Sequence, residues 1–138
     1  MVCIQCGQKT QIINSRPQVR TNQVWRRRKC LSCLSVFSTN ELADYSALWA
    51  VKTLKSGISP FSRDKLFLSL LRSCGHRTSS INDAAALTDT VIKKLLNQAK
   101  GGSLEAHQIS QTAQVALNRF DRAASVHYAA FHSANRGA

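Results

Sequence analysis

Acidic residues are scarce. Seven Asp and Glu stand against nineteen Lys and Arg in 138 residues, for a formal net charge of +12. That imbalance makes polyanions the expected partners, nucleic acid first and anionic membrane second. Long apolar runs are missing too: no stretch approaches the ~20 residues of a membrane span. The opening Met1-Val2-Cys3-Ile4-Gln5-Cys6 has neither the basic start nor the apolar core of a signal peptide. The expected location is cytoplasmic, with no membrane partner, where thiols stay reduced and clustered cysteines bind metal rather than pair as disulfides. Catalytic signatures are also absent. There is no G-x-x-x-x-G-K-[ST] loop, no H-E-x-x-H and no pair of carboxylates placed for acid–base work. His76, His107, His127 and His132 lack nucleophile partners and read as packing or surface groups. An enzyme is not expected. Repeats and low-complexity segments are lacking as well, and the 43% hydrophobic content with clear periodicity predicts one ordinary folded domain or two small ones.

What the chain does have is a cysteine pattern. Four of its five cysteines form two identical pairs, Cys3-x2-Cys6 and Cys30-x2-Cys33. Two-residue spacing lets both sulfurs of a tight turn converge on one ion, and two such turns complete the tetrahedral thiolate shell that Zn2+ accepts. Gly7 follows the first pair, where the backbone commonly needs positive φ. Between and after the pairs lie β-type stretches at Thr10 to Ile13, Gln23 to Arg27 and Ser35 to Thr39. The arrangement predicts a zinc ribbon; iron of rubredoxin type would use the same ligands. Cys74 stands alone on an apolar helical face, as a small buried hydrophobe or a functional thiol.

The second feature is basic. Residues 1–40 contain Lys9, Arg16, Arg20, Arg26, Arg27, Arg28 and Lys29 and no acid. Four thiolates on Zn2+ contribute −2, which leaves about +5 on the module. On a strand, Arg26 and Arg28 point to one face, and Trp25 and Arg27 to the other. One face is expected to meet a phosphate backbone or base edges while Trp25 and Arg27 pack or flank it; the plain alternative is a solvated charge run.

Residues 41–60 read as a boundary. Within it, Ala47 to Leu54 is a strand or a buried helical turn, Lys55 to Gly57 a turn, and a β-hairpin over 48–61 fits best, since Pro60 disfavours helix at Ser59. Three or four helices follow. Ser62 caps one carrying Leu66, Phe67, Leu70, Leu71 and Cys74, stopped by Gly75. Ser80 with Asp83 begins a second, with Leu87, Val91, Leu95 and Ala99 on one stripe, ended by Gly101-Gly102. Ser103 opens a third, with Ile109, Ala113, Ala116, Leu117 and Phe120 inward. A fourth, Asp121 to Ser133, packs Ala124, Val126 or His127, Tyr128 and Phe131. Lys52, Lys55, Arg63 and Lys65 gather near the hairpin and the first helix start, where they either hold phosphates or are ordinary solvated cations.

The order of these parts resembles the NrdR family, bacterial repressors of ribonucleotide reductase genes that join a zinc ribbon to an ATP-cone. Cys3, Cys6, Cys30 and Cys33 match the metal ligands, Asn14-Ser15-Arg16 a D-S-R motif, and Trp25 to Lys29 before Cys30 the stretch I-R-R-R-R-E-C. Phe37 to Glu41 resembles F-T-T-Y-E, and Pro60 to Leu66 resembles P-F-D-R-E-K-L. Phe120-Asp121 and Ala124 to His132 resemble L-D and A-Y-V-R-F-A-S-V-Y. The chain departs from the family at the Lys-Arg pair, which falls on Thr53-Leu54, at the Glu before Pro-Phe, which is Ser59, and at Tyr and Arg of the final motif, which are Ser125 and His127.

The resemblance implies an α+β protein: an N-terminal zinc ribbon over 1–45 that binds DNA, and over 46–138 a mostly helical ATP-cone-like domain with a β-hairpin that senses nucleotide and oligomerises. It implies a nucleoid-associated repressor of ribonucleotide reductase genes. Arg16, Arg26, Arg27 and Arg28 would engage double-stranded promoter DNA, Lys52, Lys55, Arg63 and Lys65 would hold ATP or dATP, and the chain would form a homo-oligomer. A zinc-ribbon accessory module for RNA or a protein partner, with the cone as scaffold, is the rival reading. A fragment of a reductase, on which cones occur as regulatory domains, comes third.

Overall fold

Strand-forming residues and two cysteine turns build the first part of the chain. In the computed structural model, which describes residues 1–55 and 57–132 (Lys100 by its backbone alone), β1 (Thr10–Gln18), β2 (Gln23–Cys30) and β3 (Val36–Leu42) form an antiparallel sheet in that order. Asn22, at φ 52°, makes the turn between β1 and β2, a conformation that its short polar side chain tolerates. Pro17 lies on β1, an edge strand, where a missing N–H costs the ladder nothing. A bulge between Ile12 and Asn14 shifts the register by one. Because side chains alternate along a strand, that shift decides the face on which Arg16 emerges: it stands opposite Trp25 rather than Val24.

The chain divides into two compact units, Met1–Ala43 and Asp44–Ala138. The second opens with a single 3-10 turn, Tyr45–Ala47, and then a hairpin of β4 (Ala50–Thr53) and β5 (Gly57–Pro60). The ambiguous Ala47 to Leu54 segment is thus a strand from Ala50 onward. Of the expected turn at Lys55 to Gly57, Ser56 lies outside the described residues. Pro60 again occupies an edge strand.

Four helices follow: α1 (Arg63–Ser73), α2 (Ser80–Leu96), α3 (Ala106–Phe120) and α4 (Arg122–His132). Ser62 caps α1 by accepting the Lys65 backbone N–H. On α2 the buried residues Ala84, Leu87, Thr88, Val91, Ile92 and Leu95 fall at intervals of three and four, a stripe that faces the core. Leu70, Val91, Leu95, Leu104 and Leu117 are fully enclosed there. No helix among the described residues is long and apolar enough to cross a membrane.

Several details differ from expectation. Ser103 does not open α3: Ser103–Glu105 forms a short strand, β6, parallel to β4. The helix begins after Glu105, whose side chain and that of Gln108 form a reciprocal capping box. Ala99 lies beyond the end of α2. Phe120, Val126 and Phe131 are exposed rather than inward, and α4 instead buries Ala124, Ser125 and Tyr128. Ser133 lies outside the described residues.

Two acids from different segments meet at one arginine. Arg77 donates to Asp83 at 2.9 Å and to Asp121 at 3.0 Å, while its guanidinium sits 4.5 Å from the Phe120 ring centroid. Asp121 also takes a bond from His76 at 2.8 Å and caps α4 through the Ala124 N–H at 3.1 Å. The His76 bond first, then the Ala124 N–H, hold the Asp121 carboxyl well below the usual carboxylate range. A depressed carboxyl contributes stability above its unfolded value near pH 4, and that contribution is lost as pH falls toward the folded value.

Leu70 is fully buried in this core, so Leu70→Ala is expected to destabilise the second unit by about 3 kcal/mol. Urea denaturation followed by helical circular dichroism would measure it; a loss under about 1 kcal/mol would mean that the site collapses around the truncation.

Candidate metal centre and nucleic-acid interface

The two cysteine turns are built alike. Cys3 Sγ accepts the Gln5 N–H and Cys30 Sγ accepts the Ser32 N–H, both at 3.4 Å. Cys3 N–H donates to Gln8 at 2.8 Å, as Cys30 N–H does to Ser35 at 2.9 Å. The residue after each second cysteine lies in the left-handed region, Gly7 at φ 72° and Leu34 at φ 63°. Glycine adopts that conformation freely, whereas leucine is strained in it. The sequence marks the first turn with its glycine and hides the second.

The four Sγ atoms lie within 4.8 Å of one another, with Cys3 to Cys33 at 3.6 Å and Cys6 to Cys30 at 3.5 Å. Tetrahedral thiolates about 2.3 Å from a zinc ion stand roughly 3.8 Å apart. The donor set and its spacing therefore fit Zn2+. Ser35, which no motif singles out, places its hydroxyl 3.2 Å from Cys3 Sγ and 3.1 Å from Cys33 Sγ. That hydroxyl, followed by the Gln5 N–H, pulls the Cys3 thiol down to about 6. It lowers the Cys33 thiol too. A lowered thiol favours the thiolate, the form that binds metal. Cys74 is separate from this centre: it is fully buried at the end of α1, and burial raises its thiol.

From Cys30 the β2 strand runs back through the basic stretch, and its register sorts the cations. Trp25, Arg27 and Lys29 share a face with Arg16 and Asn14 of β1 and with Asn40, Ser38 and Val36 of β3. Arg26 and Arg28 share the opposite face with Ser15 and Ile12, and with Thr39 and Phe37. Arg26 is paired with Glu41 at 3.1 Å. Arg28 donates to the hydroxyls of Thr39 and Thr10, both at 3.4 Å. Glu41 lies one residue beyond the acid-free segment but inside the same unit, so the ribbon carries one negative charge more than residues 1–40 imply. Arg16 sits 6.0 Å from the Trp25 ring centroid.

In the second unit, Lys55 and Lys65 are exposed, and Lys65 stands in the first turn of α1. Lys52 is exposed beside Glu105, its register partner on β6. Arg63 is engaged by Asp89 at 2.7 Å. A groove of about 750 Å³ in this unit lies elsewhere. It is lined by α3 and α4 residues, among them His107, Gln111, Asn118 and His132, and by none of those four cations.

Comparison with known proteins connects these parts. Residues 1–41 match a zinc-ribbon model described as "Transcriptional repressor NrdR-like, N-terminal domain". The chain is 31% identical over 140 residues to the transcriptional repressor NrdR of Pelotomaculum thermopropionicum, covering 100% of this chain and 82% of that relative. The chain belongs to the NrdR family of transcriptional repressors. NrdR of Symbiobacterium thermophilum is 32% identical over 133 residues, 96% of this chain and 87% of the relative. NrdR of Alkaliphilus metalliredigens is 33% identical over 129 residues, 87% and 82% respectively. These NrdR relatives are named as regulators, not as enzymes, which sets aside the reductase-fragment reading. The zinc-ribbon match and the four converging thiols together identify Zn2+ as the ion of this NrdR-family ribbon.

Elemental analysis is expected to give one zinc per chain, and a strong chelator to unfold the ribbon while α-helical signal persists. Iron in the purified protein would overturn the zinc assignment. Leu34→Gly is expected to raise the stability of the ribbon by about 1 kcal/mol, because it relieves the left-handed strain of a largely exposed side chain. The measurement is the chelator concentration at half-loss of zinc, which should rise.

Proposed function

We propose that the chain is a zinc-dependent, DNA-binding repressor of ribonucleotide reductase genes, acting in the cytoplasm at the nucleoid. One observation carries the reading: a three-stranded sheet, anchored on four converging thiols, presents Arg16, Arg26, Arg27, Arg28 and Lys29 from two adjacent strands with Glu41 as the only acid of its unit. Cys3, Cys6, Cys30 and Cys33 hold the zinc. The ion supplies no reaction here; it fixes the strands so that their cations stand at set spacings. Lys and Arg neutralising phosphates release counterions, which gives affinity, and base edges give the choice of site. The target genes follow from what the NrdR name implies for the relatives.

The ATP-cone-like part expected over 46–138 falls in the second unit, and its task in this reading is to sense ATP or dATP and set the state of a homo-oligomer. The support is local. The N-terminus of α1 offers backbone N–H groups, Lys65 stands exposed in its first turn, and Lys52 and Lys55 extend from the hairpin. Arg63 contributes less than its position in the sequence promised, since reaching a phosphate would break its ion pair with Asp89. Control requires the nucleotide to bind one assembly more tightly than another.

Affinity for a promoter fragment upstream of reductase genes is expected to fall steeply with salt, with a log–log slope of about −0.9 per phosphate contact. Replacing Arg26, Arg27 and Arg28 together should weaken binding at every salt concentration tested; unchanged binding would remove the ribbon as the DNA reader. For the second unit, calorimetry on nucleotide-stripped protein should show heat with ATP or dATP, reduced in Lys65→Ala. Neither heat nor a change in oligomer size would overturn the nucleotide reading.

A further inference from the structure

The ribbon sheet treats the cations of its two faces differently, and we propose that one face alone touches DNA. The face bearing Arg16, Trp25, Arg27 and Lys29 is the reading surface, with Trp25 against the bases, while Arg26 and Arg28 hold the sheet together. The assignment rests on the DNA-binding function proposed above and gives it residues.

Charge pairing is the first reason. Arg26 is engaged by Glu41, and Arg28 spans the sheet from Thr10 on β1 to Thr39 on β3. A guanidinium so committed must give up those partners before it meets a phosphate, and Glu41 repels the phosphate as it comes. On the other face, Arg27 is exposed, and neither it nor Lys29 bonds to a side chain among the described residues. No acid lies opposite them: their neighbours across the strands are Asn14, Ser38 and Val36, with Gln11 opposite Lys29 on β1.

The second reason is chemical variety. Duplex recognition needs cations for phosphates, amides or hydroxyls for base edges, and an apolar group for thymine methyls. This face holds all three in adjoining cross-strand rows: Gln11, Lys29 and Val36, then Asn14, Arg27 and Ser38, then Arg16, Trp25 and Asn40. The exposed Arg16 guanidinium lies 6.0 Å from the Trp25 ring centroid, and a guanidinium can serve a phosphate or a guanine edge. The bulge at Ile12 to Asn14 is what brings Arg16 to this side; an unbroken register would have put it with Arg26 and Arg28.

The chain contains two tryptophans, and the other, Trp49, is buried in the core of the second unit. Trp49→Phe therefore leaves Trp25 as the only tryptophan, read selectively by excitation at the red edge where tyrosine does not absorb. Titrating that variant with a mixed-sequence duplex at low salt is expected to quench or shift the Trp25 emission in a saturable way. Should Trp49→Phe unfold, the difference between the emission of the unaltered chain and that of Trp25→Phe gives the same reading. Arg27→Gln combined with Lys29→Gln should reduce the salt slope by about 2, one contact each. Arg26→Gln and Arg28→Gln, if zinc content shows them folded, should leave the slope unchanged. Saturable duplex binding with an unmoved Trp25 emission, or a slope lost in the Arg26 and Arg28 variants instead, overturns the assignment alone. Absence of duplex binding by the unaltered chain, or a preference for the single strand, overturns the duplex-reading function and the assignment with it.

Discussion

Four sulfurs meeting at one point do for the ribbon what a hydrophobic core does for the second unit. Among residues 1–43 only Cys3 and Cys30 are buried. A three-stranded sheet that is wet on both faces lacks the apolar burial to stand alone. The contact between sulfur and metal therefore carries the hairpin, the bulge and the left-handed turn at Leu34 together. It also explains why strain is tolerated there, since a conformation costing about a kilocalorie persists where stronger bonds dictate the backbone path.

The same centre bears on how β2 accommodates so many cations in succession. Alternation separates neighbours onto opposite faces, so no two consecutive cations project side by side. On one face Arg26 has Glu41 and Arg28 has two hydroxyls. On the other, repulsion is left uncompensated within the sheet apart from the aromatic contact of Arg16, a condition that an approaching polyanion relieves. The thiolate site adds negative charge at the Cys30 end of the strand, next to Lys29.

Much of this architecture is legible in the residues. The two C-x2-C pairs, the zinc ribbon they imply, the Ser62 cap, the hairpin and the apolar stripe of α2 all follow from local spacing and local chemistry. What escaped depends on distant partners. Ser103–Glu105 becomes a strand because β4 lies beside it, and three residues carry no period of their own. Ser35 matters through two sulfurs that the chain brings to it, and the acids that meet Arg77 come from segments far apart in sequence. Val126 and Phe131 read as core by composition, yet the helix buries its alanine, serine and tyrosine side instead. The bulge is the most consequential of these, since the residue types around Ile13 do not announce a register change that moves Arg16 across the sheet.

The parallel pairing of β4 with β6 has a consequence for synthesis. All four thiols of the ribbon have been made once the chain reaches Cys33, so the metal can close that unit while the rest is still unmade. The hairpin of the second unit has no such independence: its central strand waits for Ser103–Glu105 on its other side, two helices later. Non-local strand pairing is slow to form, and chains fold as they emerge, N-terminal unit first. On the ribosome, the ribbon is therefore ready for its metal well before the sheet behind it is complete.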